Sequence, residues 1–93
     1  MRLGTTTQQP NERKSYSIVY DDALDEGDSV SLVELCIAEP DDMSVSPVLA
    51  TDSRVRVWCE GGTTGETYKV TVRVLTAGGE KLEDELFIRV RGI

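Results

Sequence analysis

The sequence contains no histidine and only two cysteines among its 93 residues. Histidine is the side chain that most often serves as a general base or a metal ligand near neutral pH. Two cysteines are too few for a structural zinc site, which needs four ligands. A nucleophile–base pair is hard to build from this composition, so we expect no enzyme activity, no metal and no cofactor.

Lysine and arginine are missing between Asp21 and Asp42, although the same segment is rich in carboxylates. The whole chain has a formal net charge of −7. Phosphate contacts need clustered lysine and arginine, so we expect no nucleic-acid partner. The carboxylates from Asp21 to Asp28 do not have the spacing of a calcium-binding EF-hand loop, and we interpret this stretch as a solvated acidic turn.

The chain also lacks long apolar runs. No stretch approaches the roughly eighteen apolar residues of a membrane span, so we expect no membrane partner. The segment MRLGTTTQQPNERK has no apolar core of a secretory signal, which predicts synthesis in the cytoplasm. In that compartment we expect Cys36 and Cys59 to be reduced and buried, and a disulfide between two packed sheets is the alternative.

Residues 1–13 are mostly polar and contain few side chains that could be buried. Such a composition does not offset the entropy of ordering, so we predict a flexible N-terminal arm. The alternative is a tail that orders against a neighbouring subunit. The remaining residues, 14–93, suit one small domain.

Apolar residues alternate with polar ones in three runs of the C-terminal half. Val55, Val57 and Cys59 begin this pattern, and it recurs from Tyr68 to Val74 and from Leu86 to Val90. A period of two predicts strands with one apolar face. The runs are separated by glycine-rich segments, whose residues tolerate the positive φ of tight hairpin turns.

Three further strands are predicted earlier in the chain, at Ser15–Tyr20, Ser29–Ala38 and Met43–Leu49. The alternation slips within the second of these, which indicates a β-bulge, a change of sheet, or a strand covered on both faces; a helix over Ser31–Glu39 is a weaker alternative. Pro47 lacks an amide hydrogen and therefore predicts an edge strand or a kink. Six or seven strands without helical periodicity predict an all-β, immunoglobulin-like antiparallel β-sandwich, with a small barrel as the alternative.

Two aromatic residues point away from the apolar faces of their predicted strands. Aromatic and arginine side chains are enriched in the cores of protein interfaces, which makes an interface one interpretation of these positions. The other is that the arm or a loop covers them. The candidate interface residues are Trp58, Phe87, Arg54, Arg56 and Arg89.

The stretch Val57–Tyr68, VWCEGGTTGETY, resembles the small fibre–tail adaptor proteins of tailed bacteriophages. That family commonly shows the pattern VW-x-SGG-T-x-G-x-x-Y, followed by a strand, a turn such as T-x-A-G-x and a last strand ending in R-V-R. Leu75–Gly79 and Ile88–Arg91 match the later parts, and about four-fifths of the chain resembles the family. Glu60 departs from the pattern, where serine is frequent.

The resemblance implies a structural virion protein of a tailed phage, located in the neck or tail. Such a protein would join connector or tail proteins to fibres through protein–protein contacts, and its copies would form a homo-oligomeric ring in the particle. The alternative function is a capsid decoration or carbohydrate-binding β-sandwich module.

Overall fold

The computed structural model describes residues 2–92, whose regular structure consists of seven β-strands in two sheets. The first sheet has the order β1-β7-β6-β3 and the second has the order β2-β5-β4. All neighbouring strands are antiparallel except β1 and β7, which are parallel. The strands are β1 Arg2–Gln8, β2 Arg13–Val19, β3 Val30–Glu39, β4 Met43–Thr51, β5 Arg54–Gly61, β6 Thr67–Thr76 and β7 Lys81–Val90.

This arrangement confirms the predicted all-β sandwich and is compatible with the immunoglobulin-like topology. The core lies between the inner faces of the two sheets, and β5, β6 and β7 contribute most of its buried residues. Val55, Val70 and Val74 are completely buried there, and Val57 and Val72 are 1% exposed. Removing each such side chain from water contributes roughly 1.5–3 kcal/mol, so the two-residue period selects this packing.

The predicted irregularity in β3 is confirmed. Its position determines which side chains face the core, and these differ from the ones that a simple alternation predicts. The pairing of β3 with β6 shifts at two places, between Val30 and Leu32 and between Val33 and Leu35. Each bulge adds one residue to the strand. The whole of β3 pairs with β6, so the strand stays in one sheet, and the alternative of a helix over Ser31–Glu39 is wrong. The core-facing residues are Val30, Val33, Cys36 and Ala38, and the outward ones are Leu32, Leu35 and Ile37.

Pro47 lies in β4, which is an edge strand of the three-stranded sheet. The predicted edge position is confirmed, because one side of this strand needs no amide donor. The strand continues to Thr51, two residues beyond the predicted end.

The N-terminal residues differ from the predicted flexible arm of residues 1–13. Residues 2–8 form β1, which pairs in parallel with β7, and β2 already begins at Arg13. The prediction considered only the apolar surface that the segment can bury. An edge strand is held by backbone hydrogen bonds, and threonine is a residue type that favours strands. Residues 1 and 93, at the ends of the predicted arm and of the predicted domain, lie outside the described residues.

Gln8 connects the end of β1 to the other sheet. Its side chain is 1% exposed. Its Nε2 donates to the carbonyl oxygens of Glu12 and Cys59, each at 2.9 Å, and its Oε1 accepts from the Tyr16 hydroxyl at 2.8 Å. The amide is thus fully hydrogen-bonded in a buried position, which makes Gln8 a clasp between the two sheets.

Tyr68 connects two loops at the same end of the sandwich as Gln8. Its ring is completely buried, and its hydroxyl accepts from the Thr63 amide at 2.7 Å and donates to Asp42 Oδ2 at 2.9 Å. Gly62 has a φ of +94°, and a Cβ there would lie 2.9 Å from Tyr68 Cε2. The glycine and tyrosine positions of the VWCEGGTTGETY stretch therefore have a structural cause.

Asp84 introduces a carboxylate into the core-facing side of β7, where it continues the two-residue alternation of Leu86, Ile88 and Val90. It is 7% exposed and pairs in register with Val72. The pKa of the buried Tyr20 hydroxyl is raised by burial and then by the negative charge of Asp84, which places these two groups near each other between the sheets.

The two cysteines are free thiols, Cys59 in the core and Cys36 half-buried. Burial raises the pKa of Cys59 to about 12 and also raises the pKa of Cys36. Both thiols are therefore protonated at neutral pH and pack as small apolar side chains.

Gln8→Ala should lower the free energy of unfolding by about 2–4 kcal/mol, because it leaves the buried carbonyl of Cys59 without its donor and opens a small cavity. Urea denaturation measures the change. Gln9→Ala is the matched control: its side chain is exposed, and its effect should stay within about 0.5 kcal/mol. Equal effects of the two substitutions would contradict the clasp.

Asp42 should give the fold a measurable acid sensitivity. Hydrogen bonds from Thr63 and then from Tyr68 lower the pKa of Asp42 below its usual value of 3.8. A lowered pKa stabilises the folded state above the unfolded pKa, and this contribution is lost as the pH falls through the folded pKa. Asp42→Asn should therefore flatten the decline in urea midpoint as the pH falls below about 5, and should do so more than the neighbouring substitution Asp41→Asn. Parallel declines in both variants would refute this role.

Candidate functional site

The five candidate interface residues lie on two opposite surfaces of the sandwich. Arg54, Arg56 and Trp58 alternate with the buried residues of β5, so they lie together on the outer face of the three-stranded sheet. Phe87 and Arg89 lie on the outer face of the four-stranded sheet, because their neighbours Ile88 and Val90 are buried. The structure thus brings three of the five candidates together and separates the other two from them.

The outer face of the three-stranded sheet is built around Trp58. In register, Trp58 lies between Ser15 of β2 and Ser46 of β4, so small side chains flank the indole on both sides. We name this surface the Arg–Trp face. It consists of the outward-facing residues Arg13, Ser15, Ser17, Val19, Ser44, Ser46, Val48, Thr51, Arg54, Arg56, Trp58 and Glu60.

Two arginines contact the indole of Trp58. The Arg13 Cζ lies 4.1 Å from the ring centroid, and the Arg56 Cζ lies 6.0 Å from it. Both distances are within the range of cation–π interactions, which orient the guanidinium groups on the surface. Sequence analysis missed Arg13 because it fell in the predicted arm. Extending the alternation of Ser15 and Ser17 by one step would have placed Arg13 on this face.

The Arg–Trp face carries excess positive charge on an acidic protein. Three arginines and one glutamate give it a formal charge of +2, while the chain carries −7. Arg13 and Glu60 form a loose pair at 3.8 Å that is solvent-exposed and contributes little. Among the described residues, no carboxylate lies within 4 Å of Arg54 or Arg56. Their charges are therefore available to a partner.

The outer face of the four-stranded sheet neutralises most of its own charges. Arg73 is paired with Glu83 at 2.9 Å and with Glu34 at 3.5 Å. Lys69 lies 3.5 Å from Glu85, and further pairs join Lys69 to Glu39 and Lys81 to Glu34. Cross-strand ion pairs of this kind neutralise the charged side chains within the protein and leave fewer charges for a partner to bind.

Phe87 is covered by the N-terminal strand. The Arg2 Cζ lies 4.5 Å from the centroid of the Phe87 ring, and Thr5 pairs with Phe87 in register. This geometry corresponds to the alternative in which the N-terminal segment covers an outward aromatic residue. Arg89 is exposed and lies between Thr7 and Thr67.

Apolar side chains complete the Arg–Trp face. Val19 is 53% exposed and pairs with Arg54, and Val48 is 48% exposed and pairs with Arg56. Tryptophan and arginine are the residue types that most often dominate the binding energy of interfaces. The combination with exposed valines makes this face the best candidate for a protein–protein interface.

A groove of about 400 Å³ lies near the end of β1, but it offers no reactive group. Its lining residues are Thr7, Gln8, Gln9, Glu12, Lys14 and Arg91. Its buried member, Gln8, uses both ends of its amide in the clasp. Across residues 2–92 no three histidine, cysteine or acidic side chains are grouped so that they could hold a metal ion.

The described part of the chain contains no helix long and apolar enough to cross a membrane.

Comparison with known proteins identifies the family. A search of curated proteins gives no match. A family model described as "Podophage GP4 fiber-tail adaptor protein gp77" matches residues 8–89. The match begins at the clasp residue Gln8, includes β2 to β6 in full and nearly all of β7, and confirms the resemblance seen in the sequence. The chain therefore belongs to the podophage GP4 fiber-tail adaptor protein gp77 family.

Proposed function

We propose that this chain joins neck or tail components of a tailed phage to its fibres by protein–protein contacts. Membership of the adaptor family makes it a structural component of the phage tail. The observation that supports an adaptor role most directly is the Arg–Trp face, where Arg54 and Arg56 lack carboxylate partners among the described residues and Arg56 lies over the Trp58 ring. A surface with unpaired charges and exposed apolar groups gains free energy when a complementary protein covers it.

In this function the buried polar side chains stabilise the fold, and we propose no catalytic step. The Gln8 amide joins the two sheets, and the Tyr68 hydroxyl fixes the turn at Thr63. Each of these groups already uses its hydrogen-bonding capacity within the protein. We further propose that the protein is made in the host cytoplasm and that its copies form a ring in the neck or tail of the particle.

Carbohydrate binding is less well supported by the same surface. A sugar would need an open aromatic platform, and Trp58 is the only aromatic residue of the Arg–Trp face. The guanidinium of Arg13 already lies 4.1 Å from the centroid of that ring. The geometry of Trp58 therefore favours a protein partner over a sugar.

Phage particles assembled without this protein should contain a tail but lack fibres, and adding the purified protein should restore fibre attachment. Cryo-electron microscopy and mass spectrometry of purified particles measure both effects. A capsid decoration protein would instead be found on the shell. Particles that carry normal fibres in its absence would refute the adaptor function.

Trp58→Ala should reduce fibre attachment by about tenfold or more in this reconstitution, because hot-spot aromatic residues commonly contribute about 2 kcal/mol or more. Phe87→Ala is the matched control, since it removes an outward aromatic residue from the opposite face. Both variants should keep the circular-dichroism spectrum of the parent. A stronger defect in Phe87→Ala would indicate a contact on the outer face of the four-stranded sheet and would contradict this prediction.

A further inference from the structure

One end of the sandwich collects carboxylates from three loops. Backbone hydrogen bonds hold these loops together: the Tyr20 amide donates to Ser53 at 2.7 Å, and the Ala77 amide donates to Ser29 at 2.8 Å. Asp28 Oδ1 also accepts from the Gly78 amide at 2.9 Å. We name this region the acidic end. Its carboxylates are Asp21, Asp22, Asp25, Glu26, Asp28, Asp52 and Glu80.

The charges of the acidic end are crowded and uncompensated. The three loops, residues 20–29, 52–53 and 77–80, contain no lysine or arginine. The pKa of Glu80 is raised chiefly by the negative charge of Asp25. Among the described residues, no ion pair involves any carboxylate of this end. This end therefore repels a second acidic end and attracts positive charge.

We propose that the Arg–Trp face binds the acidic end of a second copy of this chain. The guanidinium groups of Arg54 and Arg56, which have no carboxylate partner within residues 2–92, match the carboxylates of that end in charge and in hydrogen-bonding geometry. Trp58, Val19 and Val48 supply the apolar part of the contact. The role of the contact in the particle rests on the proposed function, but the contact itself does not.

The complementarity determines how copies are arranged. Two Arg–Trp faces repel each other, and so do two acidic ends, so a symmetric pair through either surface is disfavoured. The face of one copy meets the end of the next, which is a head-to-tail contact between different surfaces. Contacts of this kind close into rings or continue as filaments.

The size of the contact indicates that it is weak for a single pair. The molecule measures 45 × 19 × 18 Å, so an end covers roughly 350 Å² on each copy. Stable complexes bury at least about 1,200 Å² in total, so an isolated pair should dissociate readily. Repeated contacts around a ring, or on a tail that fixes the copies nearby, raise the effective concentration and complete the assembly.

Two charge-reversed variants test the contact. Arg54→Glu with Arg56→Glu alters the face, and Asp22→Lys with Glu26→Lys alters the end. The face variant should stay monomeric, and the end variant, whose end keeps three of its seven net negative charges, should associate more weakly than the parent protein. An equimolar mixture should form one-to-one pairs, because the unaltered face of the end variant meets the unaltered end of the face variant. Sedimentation velocity at low salt, with protein from about 50 μM to about 1 mM, covers the range of weak association.

The association of the parent protein should also be visible by nuclear magnetic resonance. The single Trp58 indole signal should shift with protein concentration, and the shift should disappear in high salt, because exposed charges are screened there. Asp41→Lys with Glu66→Lys reverses the same number of charges at the other end and is the matched control. Its association should stay within about threefold of the parent, while the face variant should weaken association by about tenfold or more.

The outcomes separate this inference from the adaptor function. A monomeric mixture of the two variants would overturn the head-to-tail contact, even if Trp58→Ala still blocked fibre attachment; the face would then bind another tail protein. If the mixed variants associate but the protein is absent from purified virions, the contact is supported and the adaptor function is refuted. Unchanged association in the face variant would also overturn the inference.

Discussion

The structure depends on the packing of the inner faces of the two sheets against each other. The strands β5 and β6 each present a nearly continuous row of small apolar side chains to this core, and Val55 and Val70 are fully buried there. The neighbours of these strands add to the same core, so the fold is a sandwich and the outer faces are free for other roles. Because the packing uses one side of each strand, the other side faces outward, and exposed residues such as Arg54 and Arg56 are available there for surface contacts.

The ends of the sandwich are held by single polar groups with complete hydrogen bonding. The Gln8 amide ties the first strand to the second sheet, and the Tyr68 hydroxyl joins Thr63 to Asp42. A small domain has limited apolar surface to bury, so well-formed buried hydrogen bonds specify which loops meet. The family match begins at Gln8, the first residue of the chain whose side chain takes part in this organisation.

The two outer faces differ in how their charges are balanced. The four-stranded sheet pairs Lys69, Arg73 and Lys81 with glutamates of the same sheet, whereas Arg54 and Arg56 of the Arg–Trp face have no carboxylate partner in the described part of the chain. A self-neutralised face contributes little to specific recognition, and an unbalanced one selects partners of opposite charge. This difference identifies one side of an adaptor protein as its contact surface without any cavity or catalytic group.

The sequence by itself determined the strand content and the buried faces of β5, β6 and β7, because a two-residue period directly records which side of a strand is covered. It also limited Pro47 to an edge strand or a kink, because a missing amide hydrogen is a local property, and the sheet order shows the edge strand. Only the tertiary structure decided the rest. The two bulges in β3 reassigned its outward residues, β1 was ordered by the backbone of β7, and Arg13 joined Trp58 across two strands. These features depend on pairing between distant segments, and periodicity within one segment carries no information about its neighbour.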